Sequence, residues 1–224
     1  ADALLFIPFD KDGAAPIIDN CNEAGIPVIC CNNITTNVDQ ATAYVGANDV
    51  EAGIMETEYI VDLIGGKGNI AVVEGPFGHS AQVARQEGLE QVLAGYPDCK
   101  IVLDDTANWN RDEAMELVEN WIAGGTQIDA IICHNDIMAM GALQACQDAG
   151  LEIPIIGIDA TYDALCAVKD GTLAADVYQD VYGQAEEAFN VCMRILNGET
   201  FEQTTYVPFK LITKDNVDEY LANF

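Results

Sequence analysis

Five short apolar runs in this 224-residue chain stop abruptly at polar or aromatic residues. The run Ile131–Cys133 meets His134, Asn135 and Asp136; Asn69–Val73 is followed by E74-G-P-F-G-H-S-A-Q-V-A-R85. Leu103 leads into D104-D-T-A-N-W-N-R111, Ile158 into D159-A-T161, and Tyr178 into Q179-D180. The set contains an arginine, a tryptophan, an asparagine, an aspartate and a glutamine. Carboxylates and amides hold paired hydroxyls, a guanidinium donates in a fork, and an indole face covers the apolar C–H face of a sugar ring. That chemistry suits a polyhydroxylated ligand. Phosphate fits less well, because a phosphate cradle places its glycine-rich loop after a strand, whereas G65-G-K-G68 precedes one. The same polar residues also cap helices: Asn135 or Asp136 can accept from the first free amides of the helix that follows.

The elements that position these groups follow from alternation. Turn-bounded apolar runs alternate with longer helical patterns, the signature of a parallel sheet wrapped by crossover helices. Strands are expected near Ala3–Ile7, Pro27–Cys31, Ala43–Val45, Asn69–Val73, Lys100–Leu103, Ala130–Cys133, Pro154–Ile158, Ala174–Tyr178 and Thr205–Phe209. Helices are expected over Ala14–Ala24, Val50–Ile64, Ser80–Ala94, Arg111–Ile122, Asp136–Ala149, Tyr162–Val168, Tyr182–Leu196 and Asn216–Leu221. Gly25, Gly65, Gly150 and Gly198 mark helix ends that need a positive φ. In such α/β sheets ligands sit beyond the carboxyl ends of the strands, where the polar interruptions fall.

Bulk composition narrows the partners. With 37 acidic against 9 basic residues, the net charge of −28 repels polyanions, so nucleic acid is not expected. No stretch is long and apolar enough for a membrane-spanning helix, and A1-D-A-L-L-F-I-P8 has no signal-peptide pattern. The 8 cysteines form no C-x-x-C pair and read as small buried hydrophobes, so no metal site or cofactor is expected. Asp10, Asp12 and Gly13 read as a turn rather than a calcium loop. Ser80 is the sole serine, and G78-H-S-A-Q82 misses the last glycine of a nucleophile elbow, so no enzyme is expected.

Several segments together carry a resemblance: I26-P-V-I-C-C-N-N33, R85-x-x-G88, H134-N-D-x-M-A-M-G-A-L143, I155-I-G-I-D-A-T161 and G171-T-L-A-A-D-V-Y-Q179. In order and spacing they resemble the type 1 periplasmic sugar-binding proteins of ABC importers, the ribose-binding group in particular. The resemblance implies two doubly wound α/β lobes joined by a hinge, with a sugar held between them and delivered to a membrane permease. By it, Arg85, Trp109, Asn135, Asp159 and Gln179 correspond to ligand-contacting positions. Asn32 and Asn33 fall where ribose binders carry an Asp-Arg pair, which puts ribose itself in doubt and leaves a sugar or related polyol. The lobes become 1–47 with 180–207, and 48–179 with 208–224, crossing at Gly46–Asp49, Gln179–Asp180 and Val207–Phe209. The first strand corresponds to the third of the family's N-terminal lobe, so two βα units are expected to be absent from the front. The chain alone is then expected to bind weakly or not at all, with an uncovered sheet edge open to self-association. A cell-envelope location is implied by the resemblance alone. The competing expectation is the effector domain of a LacI-type transcription regulator, which shares this architecture behind a DNA-binding segment.

Overall fold

The computed structural model describes residues 1–222 and 224. By its internal contacts the chain divides into two compact units: residues 1–48, 78–81 and 180–208, and residues 49–77, 82–179 and 209–224.

The first unit is a four-stranded sheet. Strands β1 (Leu4–Phe6), β2 (Val28–Asn32), β3 (Ala43–Gly46) and β9 (Thr204–Tyr206) lie in that spatial order, every pairing parallel. Strand β2 has an apolar residue at four successive positions because helices cover both faces. Val28 and Cys30 pack with Ile18 and Cys21 of α1 (Ala15–Ala24); Ile29 and Cys31 pack with Ala188, Val191 and Cys192 of α7 (Val181–Asn197). Alternate side chains of a strand point to opposite faces, and both faces here are dry.

The second unit is a six-stranded sheet. Strands β4 (Gly68–Glu74), β5 (Cys99–Thr106), β6 (Ala130–Cys133), β7 (Ile155–Ile158), β8 (Ala175–Tyr178) and β10 (Lys210–Ile212) take the spatial order β10-β8-β7-β6-β4-β5. β4 to β8 are mutually parallel, so their carboxyl ends share one edge of the sheet. Ala71, Val73, Ile131, Cys133 and Ile155 bury one face against α4 (Arg111–Ala123), α5 (Asp136–Asp148) and α6 (Tyr162–Asp170). Helices α2 (Asp49–Leu63) and α3 (Ser80–Leu93) meet at a backbone-to-backbone crossing. A Cβ on Gly53 would stand 2.1 Å from the Arg85 carbonyl oxygen, and one on Gly88 2.2 Å from that of Val50. Only glycine permits that approach, and it brings the first residue of α2 to the side chain of Arg85. The chain closes with α8 (Val217–Leu221).

The sequence expectations differ from this architecture in four places. The strand expected at Thr205–Phe209 ends at Tyr206, since Pro208 has no amide to donate. A separate strand, β10, follows and pairs antiparallel with β8, so the larger sheet is not wholly parallel. β5 continues through Asp104 and Asp105, exposed acids that a strand on the sheet's outer edge tolerates. A 3-10 turn at Val38–Gln40 was not anticipated. All four helix-ending glycines have φ between 67° and 74°. The eight cysteines are free thiols, seven of them buried. Among the described residues no helix is long and apolar enough to cross a membrane.

Candidate functional site

Arg85 is the hub of the larger unit. It is only 4% exposed, and a buried guanidinium needs both a counter-charge and acceptors for its N–H groups. Asp49, the first residue of α2, supplies the charge: its Oδ1 accepts from Nε at 2.9 Å and lies 2.8 Å from Nη2. Nη1 donates to the carbonyl oxygen of His134 at the carboxyl end of β6. Burial works against the charge on Arg85, but Asp49, Asp159 and Glu56 outweigh it and raise its pKa. The cation is therefore permanent and held in place.

Trp109 lies over that cation, with the guanidinium carbon 5.8 Å from the ring centroid. Two anchors hold its loop to the end of β4: Ala107 N–H donates to Glu74 O at 2.9 Å, and Thr106 Oγ1 donates to Gly75 O at 2.7 Å. The indole rests directly on Gly75, where a Cβ would stand 2.1 Å from Cζ2.

Asn135 caps α5. Its Oδ1 accepts from Met138 N–H at 3.0 Å, which leaves the amide nitrogen as the donor end of the side chain. Capping and ligand contact are thus compatible in one residue. Asp159 follows β7; burial pushes its pKa up to about 6, while Arg85 pulls it down and Asp49 pushes it up. Gln179 follows β8, half-buried, next to the strand whose end carries Asp159.

The surroundings are unusually acidic for a dry interior. Glu56 on α2 is wholly buried, and neither carboxylate oxygen finds a partner. Burial drives its pKa well above the ordinary range, although Arg85 pulls it down. His134 is equally buried with both ring nitrogens unpartnered, and burial and Arg85 lower its pKa to about 3. The imidazole is neutral.

In the smaller unit, Asn32 and Asn33 close β2. Asn32 adopts φ 63°, and its Nδ2 donates to Gln184 Oε1 at 3.0 Å. The Nδ2 of Asn33 donates to Pro8 O at 2.9 Å, and His79 Nε2 lies 3.5 Å away. Ser80 Oγ accepts from Ile34 N–H at 3.4 Å. At Asp10, Oδ1 accepts from the amides of Asp12 and Gly13, as in a turn.

Of the seven positions singled out in the sequence, the larger unit gathers Arg85, Trp109 and Asp159 around one guanidinium, with Asn135 following the carbonyl that Arg85 grips. Gln179 stands at the same sheet edge, and Asn32 and Asn33 belong to the other unit. Sequence reasoning missed Asp49, Glu56 and Asp176. Asp49 reads as an ordinary first-turn acid, and Asp176 as the solvent-facing residue of a half-buried strand.

Known proteins match this chain along nearly its whole length. The model of the periplasmic binding protein domain matches residues 1–200. The xylitol-binding protein of Mycolicibacterium smegmatis is 39% identical over 219 residues, which are 97% of this chain and 62% of that protein. A putative rhizopine-binding protein of Rhizobium meliloti is 36% identical over 98% of this chain and 74% of its own length. An ABC transporter solute-binding protein from Bacillus halodurans, solved with bound myo-inositol, superposes with TM-score 0.96 at 40% identity, covering 100% of this chain and 78% of that one. The chain thus spans less than two thirds of the curated xylitol binder.

Proposed function

Because the chain belongs to the periplasmic binding protein domain family, we propose that it is the ligand-capturing part of a solute-binding protein that takes a sugar or related polyol and delivers it to an ABC importer. The observation that carries this reading is the Arg85–Trp109 stack with Asp159 in the same electrostatic cluster. Arg85 donates to ligand hydroxyls, Asp159 and Asn135 hold them from the far side, and the indole covers the C–H face. Gln179 adds an amide at the end of the neighbouring strand. Asp49 and the His134 carbonyl fix the guanidinium before the ligand arrives, which lowers the ordering cost of binding. Asn32 and Asn33 would add uncharged amides to this set, and an uncharged polyol is the ligand class that such a set accepts. Xylitol and myo-inositol, bound by two relatives, belong to that class.

The lobes would be residues 1–47 with 180–207, and 48–179 with 208–224. Closure about the crossings near Asp49, Asp180 and Phe209 would trap the ligand and present a shape for the permease to read. The location would be the cell envelope. A self-association surface is supported by the smaller unit: β1 is an edge strand, with Leu5, Ile7 and Phe9 exposed beside it and Phe189, Met193 and Leu196 exposed along α7. A single monomeric species in sedimentation would refute that surface.

Thermal-shift titration of the complete encoded polypeptide with xylitol, myo-inositol and ribose tests the ligand reading. A probe present at a hundred times its Kd adds about 2.7 kcal/mol of stability, enough to raise Tm by several degrees. No shift with any neutral polyol or sugar at millimolar concentration would refute it.

A further inference from the structure

Asp159 sits in a turn that its own sequence disfavours. Its φ is 131° and that of Ala160 is 59°, the left-handed half of conformational space where a Cβ is costly. Consecutive residues stay there only when the surroundings over-determine them. Three successive amides meet that condition: Asp159 N–H donates to Val177 O at 2.9 Å, Ala160 N–H to Asp176 Oδ1 at 3.3 Å, and Thr161 N–H to Asp136 Oδ2 at 2.7 Å.

Two of the three acceptors are therefore carboxylates, both wholly buried, arriving from different elements. Asp176 comes from the middle of β8 and Asp136 from the first residue of α5. Their arrangement is built rather than incidental. Thr161 makes no side-chain cap of its own for α6; its amide is met by Asp136 instead. A Cβ on Gly157 would stand 2.5 Å from Asp136 Oδ1, so β7 keeps a glycine where the carboxyl needs room. The remaining oxygens, Asp136 Oδ1 and Asp176 Oδ2, are buried and find no N–H donor.

We infer that Asp136 and Asp176 are positioning residues that hold the Asp159–Ala160–Thr161 turn, so that the Asp159 carboxylate is a fixed acceptor beside Arg85 and discriminates among polyols by the geometry of their hydroxyls. This rests on the polyol reading above. A carboxylate that cannot rotate with its backbone matches one arrangement of neighbouring hydroxyls and leaves others unpaired, which is how a binding site rejects an epimer.

The experiment is calorimetry on the complete encoded polypeptide with xylitol, myo-inositol and ribose, joined to a mutant cycle through Asp159. Asp136→Ala should weaken the best-bound probe by roughly 10-fold, and Asp136→Asn, which keeps an oxygen for Thr161 N–H, should recover most of the loss. Asp176→Ala and Asp176→Asn should behave the same way toward Ala160 N–H. In an Asp159→Ala background the Asp136→Ala loss should shrink to under about 2-fold, because the effect passes through Asp159. Additive losses, or unchanged affinity and probe ranking in folded alanine variants, overturn the inference. Should the alanine variants not fold, the asparagine variants run the same cycle. Amide hydrogen exchange at Ala160 and Thr161 without ligand keeps the two claims separable. Unaltered protein that binds no probe sinks the polyol reading and the discrimination with it, while the positioning role stands or falls on whether Asp136→Ala speeds that exchange.

Discussion

Arg85 and Asp49 meet through one oxygen: Asp49 Oδ1 lies 2.9 Å from Nε and 2.8 Å from Nη2 of Arg85. Both groups are nearly out of solvent, at 4% and 11% side-chain exposure. The pair ties the start of α2 to the middle of α3, across the contact that Gly53 and Gly88 make possible. Removing one partner leaves the other charge buried, a penalty much larger than the net value of the pair.

Asp49→Ala should therefore destabilise the fold by about 3 kcal/mol, while Asp49→Asn, which keeps an acceptor but no charge, should cost less. Denaturant unfolding monitored by circular dichroism gives the comparison. Arg85→Lys should not restore an Asp49-dependent stability, because an ammonium cannot reproduce the two-nitrogen grip while also reaching the His134 carbonyl. Equal stability of Asp49→Ala and the unaltered chain would mean that the pair is no anchor.

Acidic pH should strengthen the fold. Burial pushes Asp176 up to about 7 and Asp159 up to about 6, and raises Glu56 and Asp136 as well. In the unfolded chain these acids titrate near 4. Between those values the folded state binds more protons, so stability is fully present below about 4 and declines as pH rises through 6 and 7. The net charge of −28 acts in the same direction through self-repulsion, but salt screens surface charge and scarcely reaches the buried acids. Unfolding midpoints measured from pH 5 to 8 in high salt should still fall with pH. In Asp176→Asn the slope should flatten.

Much of this was readable from residue order alone, for definite reasons. A strand buried on both faces is a short apolar run, and a ligand-facing strand end is where that run meets a polar group, so Asn135 and Asp159 stood out. Asp49 did not, because an acid beside a helix start is common and its partner depends on how closely two helices cross. Asp176 was hidden by alternation: in A174-A-D-V-Y178 a single acid looks like the solvent face of a half-buried strand, whereas it is 0% exposed. β10 was missed because three residues carry too little pattern to distinguish a strand from a loop.

Asn135 should have separable structural and ligand roles. Asn135→Asp keeps the oxygen that caps Met138 N–H and replaces the donor end with a second acceptor. The fold should lose little, since aspartate is as good a cap as asparagine. Asn135→Ala should cost about 1 kcal/mol through the lost cap. Polyol affinity should drop in both. A near-normal Tm with weakened binding in Asn135→Asp assigns the amide nitrogen to the ligand; retained binding there would reduce Asn135 to a cap.

Gly75 tests whether the indole must lie where it does. Trp109 Cζ2 occupies the space a Cβ would need, at 2.1 Å, and Cη2 is nearly as close at 2.2 Å. Both atoms belong to a rigid ring, so even one methyl forces the whole side chain to move. The loop is pinned to β4 by two hydrogen bonds, one of them to the Gly75 carbonyl, so the backbone resists following. Gly75→Ala should cost about 1–3 kcal/mol of overpacking and lift the indole from the guanidinium. Trp121 is the only other tryptophan, so a Trp121→Phe background isolates the Trp109 emission. In that background the alanine variant should show a red-shifted spectrum and weaker polyol binding together. Unchanged emission with lost binding would place the ligand's apolar contact elsewhere than on this indole.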